Sequence, residues 1–160
     1  LVVKKSRHYI KKSTIANEER LAQKTGSIRQ PASGALAMFK GDFRNKTYLF
    51  DNKKSFSETI TLSLQMFEQI VRDAKQRARI PCLSLTIMNH DFWILPIKHL
   101  NIDKNIDLEL VTIRKYCKFK IEELRDRDIL LAFKVRLIPS IWVLLNDIEF
   151  LGDKYVQHHN

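Results

Sequence analysis

Residues 39–55 read FKGDFRNKTYLFDNKKS, two stretches with apolar and aromatic residues joined by a polar turn near Asn45. The pattern predicts two strands, at residues 38–44 and 46–53, paired as a hairpin. Alternate side chains of a strand face opposite ways, so Asp51 and Lys53 share one side while Tyr48 and Phe50 turn to the other. With Asp42, which follows Gly41, two carboxylates and one ammonium can share a site. These charges stand at the end of a run, Tyr48-Leu49-Phe50, that reads as buried; they form either a structural ion pair or a reactive centre. Mg²⁺ prefers oxygen ligands and keeps several waters, so a pair of acids can hold it against a phosphate and leave room for an attacking water. The lysine can orient that water or offset charge developing on the phosphate. The chemistry suggested is that of a metal-dependent nuclease, with Asp42, Asp51 and Lys53 as candidate catalytic residues.

Working outward, residues 1–12 read as a basic, poorly ordered arm, and Ser13-Thr14 offer a cap for a short helix through IANEERLAQKTG that stops at Gly26. Ile15, Leu21 and Ala22 face inward in that helix. Glu18 and Glu19 fall on neighbouring flanks, so only one of them can approach the core. Residues 27–37, SIRQPASGALA, suit a loop or short β-arm whose backbone amides and Arg29 can contact phosphate. Beyond the hairpin, Ile60, Leu64, Phe67, Val71, Ala74 and Ala78 recur at helical spacing and predict a long amphipathic helix over 58–79, ended by Pro81. That apolar stripe is core rather than a cofactor box, and no small-molecule cofactor is expected. IPCLSLTIM at 80–88 predicts a buried strand, with FWILPI at 92–97 as its hairpin partner across Asn89-His90-Asp91. The order is α-β-β-α-β-β, an α/β fold with a central sheet flanked by helices. Residues 106–113 read as a strand or a loop, 121–133 as a helix and IPSIWVLL as a strand. Residues 98–160 are then an extension packed on a core of 13–97, or a dimerisation element, within one domain.

At 160 residues and 44% hydrophobic composition the chain is long enough for one domain with a proper core. No apolar stretch approaches the roughly 20 residues that span a bilayer, and LVVKKSRHYIKK lacks a secretory leader's apolar segment. The expectation is a soluble cytoplasmic protein, in the host cytoplasm if phage-encoded, with no membrane partner. Cys82 and Cys117 stand far apart and the five histidines have no ligand spacing, which disfavours zinc and predicts reduced thiols. Trp93 and Trp142 lie in apolar runs and are expected in the core. Net charge is +10; residues 1–54 carry 13 Lys or Arg against 4 Asp or Glu, whereas residues 55–160 carry 15 against 14. The positive field thus surrounds the acidic pair, as suits a polyanionic substrate, and nucleic acid is the obvious one.

GSIRQPASGALAMFKGDF, then YLFDNKKSFS, then a long helix and RIPCLSLTI, resemble phage and archaeal-type Holliday-junction resolvases of the PD-(D/E)xK nuclease superfamily, over residues 13–97. The resemblance implies a restriction-endonuclease-like core with a mixed sheet. It implies that Asp42 and Asp51 bind Mg²⁺, with Mn²⁺ able to substitute, together with the backbone carbonyl of Asn52, and that Lys53 assists the attacking water. Glu18 would complete the site from the first helix, with Glu19 as the competing assignment. Arg29 and Ser33 look like substrate-loop residues, and Lys40, Lys54 and Ser55, which flank the motif, like further nucleic-acid contacts. The implied activity is Mg²⁺-dependent incision of branched DNA, four-way junctions above all, by a homodimer. The alternatives are a nicking or repair nuclease on the same fold, or a non-catalytic DNA-binding recombination accessory protein. Two positions depart from the family pattern: Asp51 stands where relatives more often have Glu, and Gly41 where a proline commonly precedes the first Asp. The shorter acid draws its carboxylate back by roughly 1.5 Å, one carbon-carbon bond, and catalytic geometry is sensitive to displacements of that size.

Overall fold

The computed structural model describes residues 7–29, 41–102, 105–147 and 150. The first helix, α1 (Arg7–Lys24), starts earlier than expected. Residues 7–12 of the predicted arm are helical, and Ser13-Thr14 lie inside the helix instead of capping it. No glycine or proline interrupts residues 7–24, and the penalty for a Ser or Thr inside a helix is only a fraction of a kcal/mol. Gly26 does stop it: at φ +63° it lets the Ser27 N–H donate to the Ala22 carbonyl at 2.7 Å and its own N–H to Gln23 at 3.2 Å.

Next come β1 (Ile28–Arg29), β2 (Phe43–Arg44) and β3 (Tyr48–Ser55). β2 pairs antiparallel with both of its neighbours, Phe43 lying opposite Phe50 in β3. Asn45 makes the predicted turn, its Oδ1 accepting from the N–H groups of Thr47 at 2.9 Å and Tyr48 at 2.7 Å. Residues 38–40 of the first predicted strand, and most of the 27–37 loop, lie outside the described residues.

The long helix predicted over 58–79 is two elements, β4 (Thr59–Ser63) and α2 (Leu64–Gln76). Thr59-Ile60-Thr61 is β-branched throughout, and burial alternates, Ile60 and Leu62 inside and Thr61 outside. Ile60 and Leu64 satisfied a helical spacing by coincidence. Ser63 is the true cap, its hydroxyl accepting from the Met66 N–H at 3.4 Å. Pro81 does not end the helix, which stops at Gln76; it lies within β5 (Ile80–Ile87). The turn to β6 (His90–Pro96) is Met88-Asn89, both at positive φ, so His90 and Asp91 belong to the strand.

β7 (Leu108–Ile113), β8 (Tyr116–Lys120), α3 (Ile121–Arg125), β9 (Leu130–Val135) and β10 (Ile141–Asn146) follow. The helix predicted over 121–133 is therefore only its first turn or so. Asp126-Arg127-Asp128 interrupts it, and the apolar run after that is buried inside the sheet, where Leu131, Ala132 and Phe133 are almost fully enclosed. β10 pairs with β6, which gives one eight-stranded sheet in the order β1-β2-β3-β5-β6-β10-β9-β7, with β4 and β8 forming a separate ribbon. The β3–β5 and β7–β9 pairs are parallel and the others antiparallel, so the expected α/β class with a central mixed sheet flanked by helices holds.

One sheet face carries Leu49, Leu83, Leu85 and Ile94, and is covered by α2, α3 and the β4–β8 ribbon. The other carries Phe43, Phe50, Cys82 and Trp93, and packs against Leu21 and Ala22 of α1. Trp93 and Trp142 are fully buried, as expected, and both cysteines are free thiols. Among the described residues no helix is long and apolar enough to cross a membrane.

Candidate active site

Strand parity divides the residues of β3. Asp51 and Lys53 share the side of Leu49, toward α2, whereas Asn52 and Lys54 share the side of Phe50, toward α1. The edge of β3 decides the rest. The Asp42 N–H donates to the Phe50 carbonyl at 2.8 Å, and the next N–H along that edge, from Asn52, donates to Asp42 Oδ2 at 2.7 Å. The Asp42 carboxylate thus stands where a backbone acceptor would have continued the pairing. In an extended strand a residue's N–H and C=O leave on the same edge, so the Asn52 carbonyl faces the Asp42 side too.

Gly41 explains how Asp42 comes to be there. Its φ is +76°, and a Cβ added to it would lie 2.7 Å from Leu49 Cδ1 and 3.1 Å from the Phe50 carbonyl oxygen. Proline, locked near −65°, cannot take this route, so at position 41 the backbone path into Asp42 calls for glycine.

Asp51 lies within hydrogen-bonding range of Asp42, and its Oδ2 is 3.3 Å from Lys53 Nζ. Burial, then the neighbouring Asp42, push the Asp51 carboxyl up to about 7, against the pull of Lys53. On α1, Glu18 is 7% exposed while Glu19 is exposed to solvent. Burial and then Asp42 raise Glu18 to about 7 as well, offset by Arg29, whose Nε donates to Glu18 Oε2 at 3.2 Å. Of the two candidate glutamates, Glu18 is the one that approaches Asp42.

Asp42 and Asp51, close together at one edge of the sheet, suit a cation, and Glu18 adds its charge near Asp42 from α1. Among the described residues no three Asp, Glu, His or Cys side chains close on a point as a ready-made cage. Mg²⁺ does not need one: two carboxylates, one carbonyl and several waters fill its octahedron. The donors on offer, Asp42, Asp51 and the Asn52 carbonyl, are all hard oxygens, which fit Mg²⁺ or Mn²⁺ and not a thiophilic metal.

The other expected contacts divide. Arg29 is turned to Glu18. Lys54 Nζ donates to Ser13 Oγ at 3.0 Å and lies 5.3 Å from the Phe56 ring centroid, and the Ser55 hydroxyl is spent on the β3–β4 turn, donating to the Thr59 carbonyl. Both residues are half-buried. Ser33 and Lys40 lie outside the described residues.

The sequence reading missed what holds α1 in place. Arg20 donates through Nη1 to Asp91 Oδ2 at 2.7 Å and through Nη2 to Oδ1 at 2.8 Å; Lys24 joins Asp91 at 2.7 Å and Asp147 at 2.9 Å. Thr86 donates to Asp91, Asn17 to Thr86, and the Trp93 indole N–H to Asp147. Asp91, buried but bonded to two cations and a hydroxyl, is held down at about 2. Asn17, Arg20 and Lys24, spaced three and four apart on one helix face, are the sequence signal for this cluster.

No protein-family profile matches the chain, and no curated protein does. Among solved structures it is similar to Hjc, a Holliday junction resolvase from the archaeal hyperthermophile Archaeoglobus fulgidus, at 17% identity and a TM-score of 0.43, over 64% of this chain and 84% of that one.

Proposed function

We propose that this chain is a divalent-metal-dependent endonuclease of the PD-(D/E)xK type that cuts branched DNA. The observation that carries the reading is the Asp42 carboxylate, fixed by the Asn52 amide and crowded against Asp51 beside Lys53. Asp42 and Asp51 would hold Mg²⁺ together with the Asn52 carbonyl, with Glu18 behind them. A bound Mg²⁺ would supply Lewis-acid polarisation of a phosphate oxygen and a more acidic water.

The chain's own groups do the rest. Asp51, once its proton has passed to solvent, would be free to hold the cation, and its Oδ2 orients the Lys53 ammonium. Lys53 Nζ would orient the attacking water and offset charge developing on the phosphate; as the water oxygen bonds to phosphorus its proton passes to solvent, and the leaving sugar oxygen, its bond to phosphorus broken, takes a proton from solvent. The Asn52 N–H keeps the Asp42 carboxylate in one orientation. Arg29 neutralises Glu18 until substrate arrives. The basic N-terminal third supports nucleic acid as the substrate. A homodimer is part of this reading, because symmetric incision of a four-way junction needs two sites at fixed separation.

Incision of a labelled synthetic junction beside linear duplex, with and without Mg²⁺, tests it. The expected result is junction cutting only with the metal, reduced about 100- to 1,000-fold in Asp42→Ala and Lys53→Ala. Cutting by these variants at the wild-type rate would remove the catalytic assignment, and equal cutting of linear duplex would remove the preference for junctions. Asp51, one methylene shorter than the Glu more common at that position in the family the chain resembles, favours one other reading, a DNA-binding accessory without turnover, which predicts salt-sensitive junction binding and no incision.

A further inference from the structure

We propose that the outer face of the β4–β8 ribbon is a second nucleic-acid contact surface, gripping the sugar-phosphate backbone of a duplex arm away from the reacting phosphate. It rests on the reading that the substrate is nucleic acid, and it uses none of the residues assigned to the reaction.

The ribbon has two unlike sides. Ile60, Leu62 and Phe119 point inward and are buried in the core beside α2. Outward lie three cross-strand pairs, Thr59 with Lys120, Thr61 with Lys118 and Ser63 with Tyr116. Tyr116 is 65% exposed, and Lys118 and Lys120 are exposed as well. Arg114 and Lys115, both exposed, stand in the turn just before β8. The segment 114–120, RKYCKFK, holds four cations and no acid, and none of the four makes an ion pair among the described residues. The near balance of charge across residues 55–160 conceals this cluster. Acids stand beside the Lys120 end: Glu58 precedes Thr59, Glu122 follows Ile121, and the Glu123 carboxylate accepts from the Lys120 N–H at 3.0 Å. The field is therefore strongest toward Arg114 and Lys118.

An exposed lysine face is often merely solvated. Here the cations alternate with hydroxyls of Thr61 and Tyr116, the side-chain set from which phosphate contacts are drawn. Alternate residues of a strand are about 7 Å apart, so Tyr116 to Lys120 spans about 13 Å, long enough to meet more than one phosphate of a DNA strand. The ribbon also leads to the site. Ser55 ends β3 and bonds to the Thr59 carbonyl, while the Ile121 N–H donates to the Glu58 carbonyl at 2.8 Å, which ties the Lys120 end of the ribbon to the strand carrying Asp51 and Lys53. A duplex lying along the ribbon is thereby directed to that end of β3.

The test is fluorescence anisotropy of a labelled DNA junction bound to the full chain over a salt series without divalent metal, with wild type, Arg114→Glu/Lys118→Glu and the milder Lys118→Gln. Loss of two phosphate contacts is expected to lower the slope of log affinity against log salt by about 1.8, and of one by about 0.9. At about 100 mM salt the double variant should bind at least about tenfold more weakly, with circular dichroism melting unchanged. Should the double variant unfold, Lys118→Gln alone decides. Folded variants with wild-type slope and affinity would overturn the ribbon proposal and leave the nuclease reading standing. Wild type that binds through the ribbon but never incises would remove the nuclease reading and leave the ribbon. Absence of any salt-dependent binding by wild type would remove both.

Discussion

Asp42 is delivered to the sheet edge by a glycine in a left-handed conformation, and one methyl group there is enough to disturb it. Gly41→Ala is expected to cost about 1–3 kcal/mol, since a non-glycine residue is strained at this φ and its Cβ would press on Leu49. A urea melt measures the loss, and wild-type stability in the variant would mean that the backbone relaxes freely. Asp51 makes the second prediction at this scale. Its carboxyl is raised to about 7 and must be ionised to hold a cation, so incision should fall as pH drops below about 7. Proton and metal compete for the same oxygens, and the acid limb should move to lower pH as Mg²⁺ is raised. Rates measured against pH at two Mg²⁺ concentrations decide; an acid limb that ignores the metal would separate Asp51 from its binding. That Asp51 and Lys53 share a side of β3 was legible from strand alternation, whereas the seat of Asp42 depends on the turn at Gly41 and on the β3 edge. That Glu18 and not Glu19 faces Asp42 was not, because both sit on flanks of the same helix and only tertiary packing buries one of them.

At the scale of elements, α1 is attached chiefly by polar contacts: Leu21 and Ala22 are its buried apolar residues among those described, and Arg20, Lys24 and Asn17 supply the rest. Asp91 is the hub of that attachment. Its carboxyl falls from 3.8 to about 2 in the folded state, so it contributes about 2 kcal/mol that is present above pH 4 and lost as pH falls from about 4 to about 2. Asp91→Asn should lose roughly that amount at neutral pH and flatten the stability profile in the same acid window. Thermal melts from pH 2 to 7 test this, and a variant with an unaltered acid limb would show that other carboxylates govern it. Elements with one dominant period were readable in advance, as with the β5 and β6 hairpin. Residues 58–64 were not, since Ile60 and Leu64 fit a helix while Ile60 and Leu62 fit a strand, and only the Ser63 cap separates the two. The apolar run at 129–133 misled for a related reason: a buried strand and a buried helix segment look alike when both faces are covered.

For the whole molecule, the sheet carries the site at one edge, between β2 and β3, and continues through β10, β9 and β7 at the other. Residues beyond 98 therefore extend the sheet as well as forming half of the β4–β8 ribbon. That continuity leaves no local periodic trace, because pairing between β6 and β10 joins residues 46 to 54 positions apart. The proposed homodimer belongs to this scale. Sedimentation equilibrium should give twice the 18.9 kDa chain mass, and a monomer at the concentrations where junctions are cut would mean that the two incisions are independent. The central claim is a divalent ion shared by Asp42 and Asp51, and titration of Mn²⁺ into the protein, followed by calorimetry or by the loss of free-ion paramagnetic resonance signal, tests it most directly. Saturable uptake by wild type, abolished in Asp42→Asn/Asp51→Asn that still folds, is the predicted result; equal uptake by both proteins, or none by wild type, would contradict it.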